Sequence, residues 1–182
     1  MFNWLKNRAE TRQKANNLYS LAANHARQPE FYQSFQVPDS ITGRYEMLCI
    51  HVFLLLERLR ISKTEDDISQ VLTEILVKEL ERAYRDSGFR DLSIPKNIKR
   101  LIAGFYERAS VYKSGLYAED QTELCEAVNR YVFASTTSVD NRATTLALYI
   151  RKAHQNLAAL PSEAIETANF SFISPELVLQ QR

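Results

Sequence analysis

The sequence predicts an all-α fold: a single-domain bundle of about six to seven helices around a central buried helix at about residues 40–60. Three observations predict it. Only four glycines and five prolines occur in 182 residues, too few for the turn-rich connections of a sheet protein. Apolar residues recur at the helical period through most of the chain. The stretch from Tyr45 to Leu59 is apolar nearly all round, the pattern of a helix buried on every side.

The elements follow in order. A first helix is expected from about Ala9 to Arg27, with Leu18, Leu21, Ala22 and Ala26 at helical spacing. Pro29 opens a short helical segment to Phe35, and Pro38 ends it by disfavouring helical backbone at Val37. Asp39 or Ser40 caps the central helix, which runs to about Arg60. Thr64-Glu65-Asp66-Asp67 is a near capping box for the next one. Its stripe is Ile68, Val71, Leu72, Ile75, Leu76, Leu80 and Ala83, and Gly88 is placed to close it. Pro95 suits the first turn of a fourth long helix, whose stripe runs from Ile98 to Tyr112 before Gly115 ends it. A fifth, from about Glu119 to Ala134, buries Leu124, Cys125, Val128, Tyr131 and Val132. Asp140 or Ser138 caps a sixth, stopped by Pro161. We therefore expect an amphipathic N-terminal segment at 1–17, a helical domain at 18–167 and a tail at 168–182. That tail has little periodicity and is either loosely held or packed as an extended strap.

Composition excludes more than it assigns. Apolar residues make up 45% and charged residues 25%, with a net charge of +1, so any basic partner site must be local. Cys49 and Cys125 sit in apolar helical patterns and read as small core residues in a reducing compartment. The apolar run from Met47 to Leu56 is far short of the ~20 residues a membrane span needs. The first residues show neither a signal peptide nor, with Glu10 so early, a transit peptide. Phe2, Trp4 and Leu5 beside Lys6 and Arg8 suit a peripheral membrane contact.

Four scattered glycines make no phosphate-cradling loop. His25, His51 and His154 are far apart and lack the i, i+4 pairing of a zinc helix. His51 reads as a satisfied core histidine; haem ligation by His51 or His25 has no support beyond the residue type. Glu46 and Glu57 flank the apolar helix and are expected to pair with Arg44 or Arg60. No nucleophile elbow, Cys/His dyad or acid pair is recognisable, so an enzyme is not expected and neither a metal nor a cofactor is called for.

Charge concentrates instead between Arg82 and Arg100, with six Lys/Arg and two Asp. The junction Tyr84–Lys96 also holds Phe89, Leu92 and Ile94, too much apolar content for a plain linker. Lys96, Lys99 and Arg100 lie away from the apolar stripe of their helix, and Tyr106 and Tyr112 add rings of the kind enriched at interfaces. One reading is a docking surface. The alternative is a helical nucleic-acid-binding module using the 82–100 surface, although no recognition fingerprint accompanies it and no specific nucleic acid is expected.

Three ordered blocks carry a family resemblance. They are Ala26-Arg27-Gln28-Pro29-Glu30-Phe31-Tyr32 followed by Val37-Pro38-Asp39-Ser40; Gly43-Arg44-Tyr45-Glu46-Met47-Leu48-Cys49-Ile50-His51; and Arg85-Asp86-Ser87-Gly88-Phe89-Arg90-Asp91-Leu92-Ser93-Ile94-Pro95-Lys96, leading to Phe105-Tyr106-Glu107-Arg108 and Tyr112. Together, from about Leu18 to Ala134, they resemble the ubiquinol–cytochrome c chaperone family. Lys78-Glu79-Leu80-Glu81 and Glu107 depart from its usual pattern.

The resemblance implies an all-helical, non-enzymatic assembly factor for the cytochrome bc1 complex. Its client would be nascent or unassembled cytochrome b. In mitochondria the family acts with a small partner protein and at the ribosome. For this chain a bacterial cytoplasmic protein, peripheral at the inner membrane, is expected. The client-binding candidates are Gly43, Arg44, Arg85, Asp86, Gly88, Asp91, Lys96, Lys99, Tyr106, Arg108 and Tyr112. Internal pairing of Arg44, Arg85, Asp86 and Asp91 is the competing reading.

Overall fold

The computed structural model describes residues 2–62, 66–86, 94–134 and 139–180. Gly88, Asp91 and the near capping box at 64–65 lie outside them. The described residues form nine helices and no strand: α1 Phe2–His25, α2 Pro29–Gln33, α3 Ile41–Ser62, α4 Asp66–Asp86, α5 Ile94–Tyr117, α6 Thr122–Tyr131, α7 Asn141–Ala159, α8 Ser162–Glu166 and α9 Pro175–Leu179.

Helix α3 is the hub, as its all-round apolar sequence predicts. It packs on α1, α4, α5 and α7. Met47, Ile50, Val52, Leu54 and Leu55 are fully buried, an arrangement open only to a helix covered on every side. Helix α1 lies along α4 on one flank, and α6 bridges α5 and α7 on the other. Cys49 and Cys125 are buried and free, as expected.

Helix ends are satisfied across elements. Ser40 caps α3 by accepting from the Gly43 N–H at 3.1 Å, and Asp140 caps α7 through the N–H groups of Arg142 and Ala143. Arg58 of α3 donates to the Leu157 and Leu160 carbonyls at 2.8 and 2.7 Å, which closes the C-terminal end of α7 with a cation where the helix dipole favours one. Arg151 of α7 does the same for α5, donating to the Gly115 and Leu116 carbonyls.

Two expectations change, and a third, left between two alternatives, resolves. Helix α1 begins at Phe2 rather than near Ala9; no breaker interrupts this segment, and Lys6 and Glu10 form an i, i+4 pair at 3.9 Å. Gly115 does not end α5, which runs on to Tyr117. A Cβ there would lie 2.7 Å from the Leu124 amide nitrogen, so this glycine serves the close approach of α5 to α6. The end of the chain packs as a strap: Phe172 and Val178 are buried, and α9 contacts both α2 and α7.

Two of the three histidines the sequence spaces far apart, His25 and His51, meet in the core. The Tyr149 hydroxyl lies 2.9 Å from His51 Nε2 and 3.0 Å from His25 Nε2. The Met47 carbonyl accepts from His51 Nδ1 at 2.7 Å, which leaves His51 Nε2 as an acceptor. Tyr149 therefore donates to His51, and its oxygen also lies within hydrogen-bond distance of His25 Nε2, while His25 bonds the Ile173 backbone as well. Phe31 and Phe172 pack against both imidazoles.

Candidate functional site

A groove of about 620 Å³ opens between α1, α3, α4 and α5. Its walls are aliphatic: Ala23 from α1 and Ala26 from the turn after it, Ile41 and Leu48 from α3, Leu80 and Ala83 from α4, Leu101 from α5. Ile41, a lining residue at the start of α3, is 86% exposed.

The polar lining is Arg27, Thr42, Arg44, Tyr45, Glu46 and Arg108. Glu46 retains 1% of its side-chain exposure and Arg108 21%, with Arg108 Nε at 2.7 and 3.0 Å from the two carboxylate oxygens. Arg108 Nη1 donates to the Gly104 carbonyl at 2.9 Å. The guanidinium sits over the rings of Tyr131 and Tyr45, 4.8 and 5.9 Å from their centroids, a cation–π arrangement that fixes its plane. Burial raises the Glu46 carboxyl and outweighs the pull of Arg108, so it titrates above the ordinary carboxylate range. Burial draws the Arg108 guanidinium down, but the bonds and charge of Glu46 more than offset it. The pair is therefore ionised but strained by desolvation. The Tyr45 hydroxyl donates to the Leu101 carbonyl at 2.9 Å and ties α3 to α5.

The groove gathers some predicted residues and leaves others apart. Arg44 and Arg108 line it. Gly43 shapes it from behind, since a Cβ at this position would land on the Pro38 carbonyl oxygen. Replacing Gly43 with alanine should lower stability by about 1–3 kcal/mol, because backbone must move to make room; a chemical denaturation curve identical to wild type would refute this. Arg85 and Asp86 follow Ala83 at the end of α4. Each has an i, i+4 partner on its own helix, Glu81 at 3.7 Å and Arg82 at 3.9 Å, exposed pairs of little energetic weight. Lys96 and Lys99 are exposed in the first turns of α5. Tyr106 is 54% exposed, whereas Tyr112 is 1% exposed and belongs to the core, its hydroxyl without a hydrogen-bond partner among the described residues. Phe2, Trp4 and Leu5 fall in the first turn of α1, and their side chains lie outside the described set.

The expected carboxylate pairings divide. Glu57 pairs with Arg60 as predicted, with bonds at 3.0 and 2.5 Å. Glu46 does not pair with Arg44, which turns outward to Asp39 at 2.7 Å; residues two apart on a helix do not face each other. Arg108, 62 positions away, takes that place. The contributions of Ala23, Ala26 and Arg27 to the groove went unread, because only the packing of α1 against α3 brings them there.

Among the described residues no group of three or more His, Cys, Asp or Glu could hold a metal ion, and no helix is long and apolar enough to cross a membrane.

Residues 33–172 match a family model described as ubiquinol-cytochrome C chaperone. The chain is 23% identical over 135 residues to ubiquinol-cytochrome c reductase complex assembly factor 1 of Mus musculus, covering 74% of this chain and 45% of that protein. It thus spans less than half the length of that relative. It is also similar to a solved structure, the crystal structure of the Cbp3 homolog from Brucella abortus, with a TM-score of 0.82 and 29% identity over 97% of this chain and 98% of the other.

Proposed function

The chain belongs to the ubiquinol–cytochrome c chaperone family, and from that premise we propose that it is a non-enzymatic chaperone that assists assembly of the ubiquinol–cytochrome c reductase (bc1) complex by holding unassembled cytochrome b. The observation that carries this reading is the aliphatic groove with its ion-paired floor and guanidinium rim. An unassembled membrane protein exposes apolar helices. A groove with aliphatic walls takes up such surface, and its one buried acid is already neutralised, so an arriving apolar segment leaves no ion newly unpaired.

In this proposal Arg44 and Arg108 contact the client and Gly43 keeps the groove's back wall close. Arg85, Asp86, Lys96 and Lys99 extend the charged rim, because they flank the groove-lining Ala83 and Leu101 in sequence; Gly88 and Asp91 fall between them. Tyr106 is the exposed ring of this surface. The chain would act at the cytoplasmic face of a bacterial inner membrane, with Phe2, Trp4 and Leu5 as a peripheral contact. A ribosome or a small partner protein would be accessory to the same role.

Deleting the gene should lower the amount of assembled bc1 complex and leave unrelated respiratory enzymes intact. Crosslinking from native membranes should recover cytochrome b. Normal bc1 levels in the deletion strain would remove the proposal.

A further inference from the structure

The groove's charged groups without a partner are all of one sign, beside the single neutral hydroxyl of Thr42 and a Tyr45 hydroxyl already in use. Both oxygens of Glu46 are taken by Arg108 Nε. The Tyr45 hydroxyl is spent on Leu101, and Arg44 Nε on Asp39. Among the charged lining residues, the nitrogens left over are all donors: Arg108 Nη2, the terminal nitrogens of Arg44 at the rim, and the whole guanidinium of Arg27. None of these makes a hydrogen bond or ion pair with another described residue. With three arginines against one carboxylate, the lining is positive. Its surface otherwise consists of aliphatic walls, open at the mouth beside Ile41.

Resting on the chaperone reading, we propose that this groove takes an apolar helix by its carboxyl end. The last four carbonyls of any helix lack intrahelical donors and carry the negative end of its dipole. An arginine-lined, aliphatic groove satisfies both features: the walls cover the side chains of the last turns, and Arg108 Nη2 donates to the orphan carbonyls. Arg27 and Arg44 at the rim suit an acidic residue or a terminal carboxylate beyond them. A helix presented amino end first would set its unpaired N–H groups against guanidinium donors, which charge and hydrogen-bond polarity both disfavour. Glu46 and the rings of Tyr45 and Tyr131 position Arg108, so Nη2 is held in place before the client arrives.

The test uses the full chain and two labelled peptides of about 15 residues, long enough to form a helix. Both are Leu/Ala-rich and equal in composition. One carries its aspartates in the last turn and a free carboxyl terminus. The other has the reversed sequence and an amidated terminus. Fluorescence anisotropy should show the first binding at least ~10-fold more tightly, which corresponds to about 1.4 kcal/mol. In the double variant Glu46→Gln/Arg108→Met, which leaves no buried ion unpaired, the preference should fall below about 2-fold while the protein still melts cooperatively. Arg27→Gln removes a rim cation with no partner among the described residues and should lower the preference in part, even if the double variant does not fold. Equal affinity for the two peptides overturns the proposal, as does a preference that survives Arg27→Gln unchanged. Displacement of the first peptide by phosphatidylglycerol vesicles but not by phosphatidylcholine vesicles also overturns it, because the site would then belong to an anionic lipid. Cytochrome b still crosslinked by a chain without the peptide preference would remove only the carboxyl-end inference and leave the chaperone reading standing.

Discussion

Replacing Arg108 with methionine is expected to cost about 3–5 kcal/mol of folding stability, more than its partly exposed position suggests. The reason is the partner it leaves behind. Glu46 keeps 1% of its side-chain exposure, and its two oxygens are satisfied by Arg108. Without the guanidinium the carboxylate must either stay ionised and unpaired or take up a proton at neutral pH. Glu46→Gln/Arg108→Met should lose only about 1 kcal/mol or less by comparison, since the buried charge disappears with its partner. The pH response separates this account from simple loss of packing. Burial already raises the Glu46 carboxyl above its ordinary value. A raised acid relieves its own strain as pH falls, so the deficit of the single variant should shrink towards pH 5. Urea denaturation of wild type, single and double variants at neutral and mildly acidic pH measures all three. A single variant no less stable than the double would sink the account.

The helices were legible because each carries its own period. The stripe from Ile68 to Ala83 and the all-round apolar run of α3 are local facts, and burial followed them as far as Leu80, with Val71 only partly covered and Ala83 exposed. Caps were legible to within a residue or two: the sequence offered Asp39 or Ser40 for α3, and Ser40 holds the Gly43 amide while Asp39 goes to Arg44. Glycines were misread where their reason is tertiary. Gly115 looks like a stop in sequence, but it is the point where α6 comes close to α5.

The site was legible only in part, for the same reason. Glu46 is an acid inside an apolar helix, and that alone signals a buried partner. Nothing in the sequence says that the partner stands 62 positions away on α5. The sequence weighed Arg44, its neighbour, because proximity along the chain was the only proximity available. Arg27 stands in the first family block but not among the client-binding candidates, since it lies just past the end of a helix whose contact with α3 is set by packing. The residues the blocks shared with the family did include both Arg44 and Arg108, so the resemblance reached across α3 and α5 where periodicity could not. The histidines show the same limit from the other side. His25 and His51 have no sequence relation, yet they share one tyrosine hydroxyl from α7.

That shared hydroxyl predicts an acid-sensitive fold. Burial is the main cause holding His25 down at about 4 and His51 down at about 3. In the unfolded chain both imidazoles titrate near 6.5. The sign follows directly. Below 6.5 the unfolded state binds protons that the folded core refuses, so stability is lost as pH falls from about 6.5 towards 4 and 3. At about 1.4 kcal/mol per pH unit, each histidine contributes roughly 2–3 kcal/mol of destabilisation by pH 4.5, less whatever their mutual repulsion changes. Glu57 and Asp140 are lowered and work in the same direction, at lower pH; Glu46 is raised and works against it. The double variant His25→Gln/His51→Gln removes both titrating rings and keeps amide groups for Tyr149 to engage. Its absolute stability at pH 7.5 should fall, because the rings also pack against Phe31 and Phe172. Its slope between pH 6.5 and 4.5 should nevertheless flatten to less than half that of wild type. Equilibrium denaturation across that interval reads the slope, and parallel profiles for the two proteins would show that the acid sensitivity comes from elsewhere. Tyr149→Phe gives the complementary case: the rings still titrate, but His51 loses its hydroxyl donor and His25 its hydroxyl partner. This should cost about 1–3 kcal/mol at neutral pH. It should cost less at pH 4.5, where a more loosely held imidazole accepts its proton sooner.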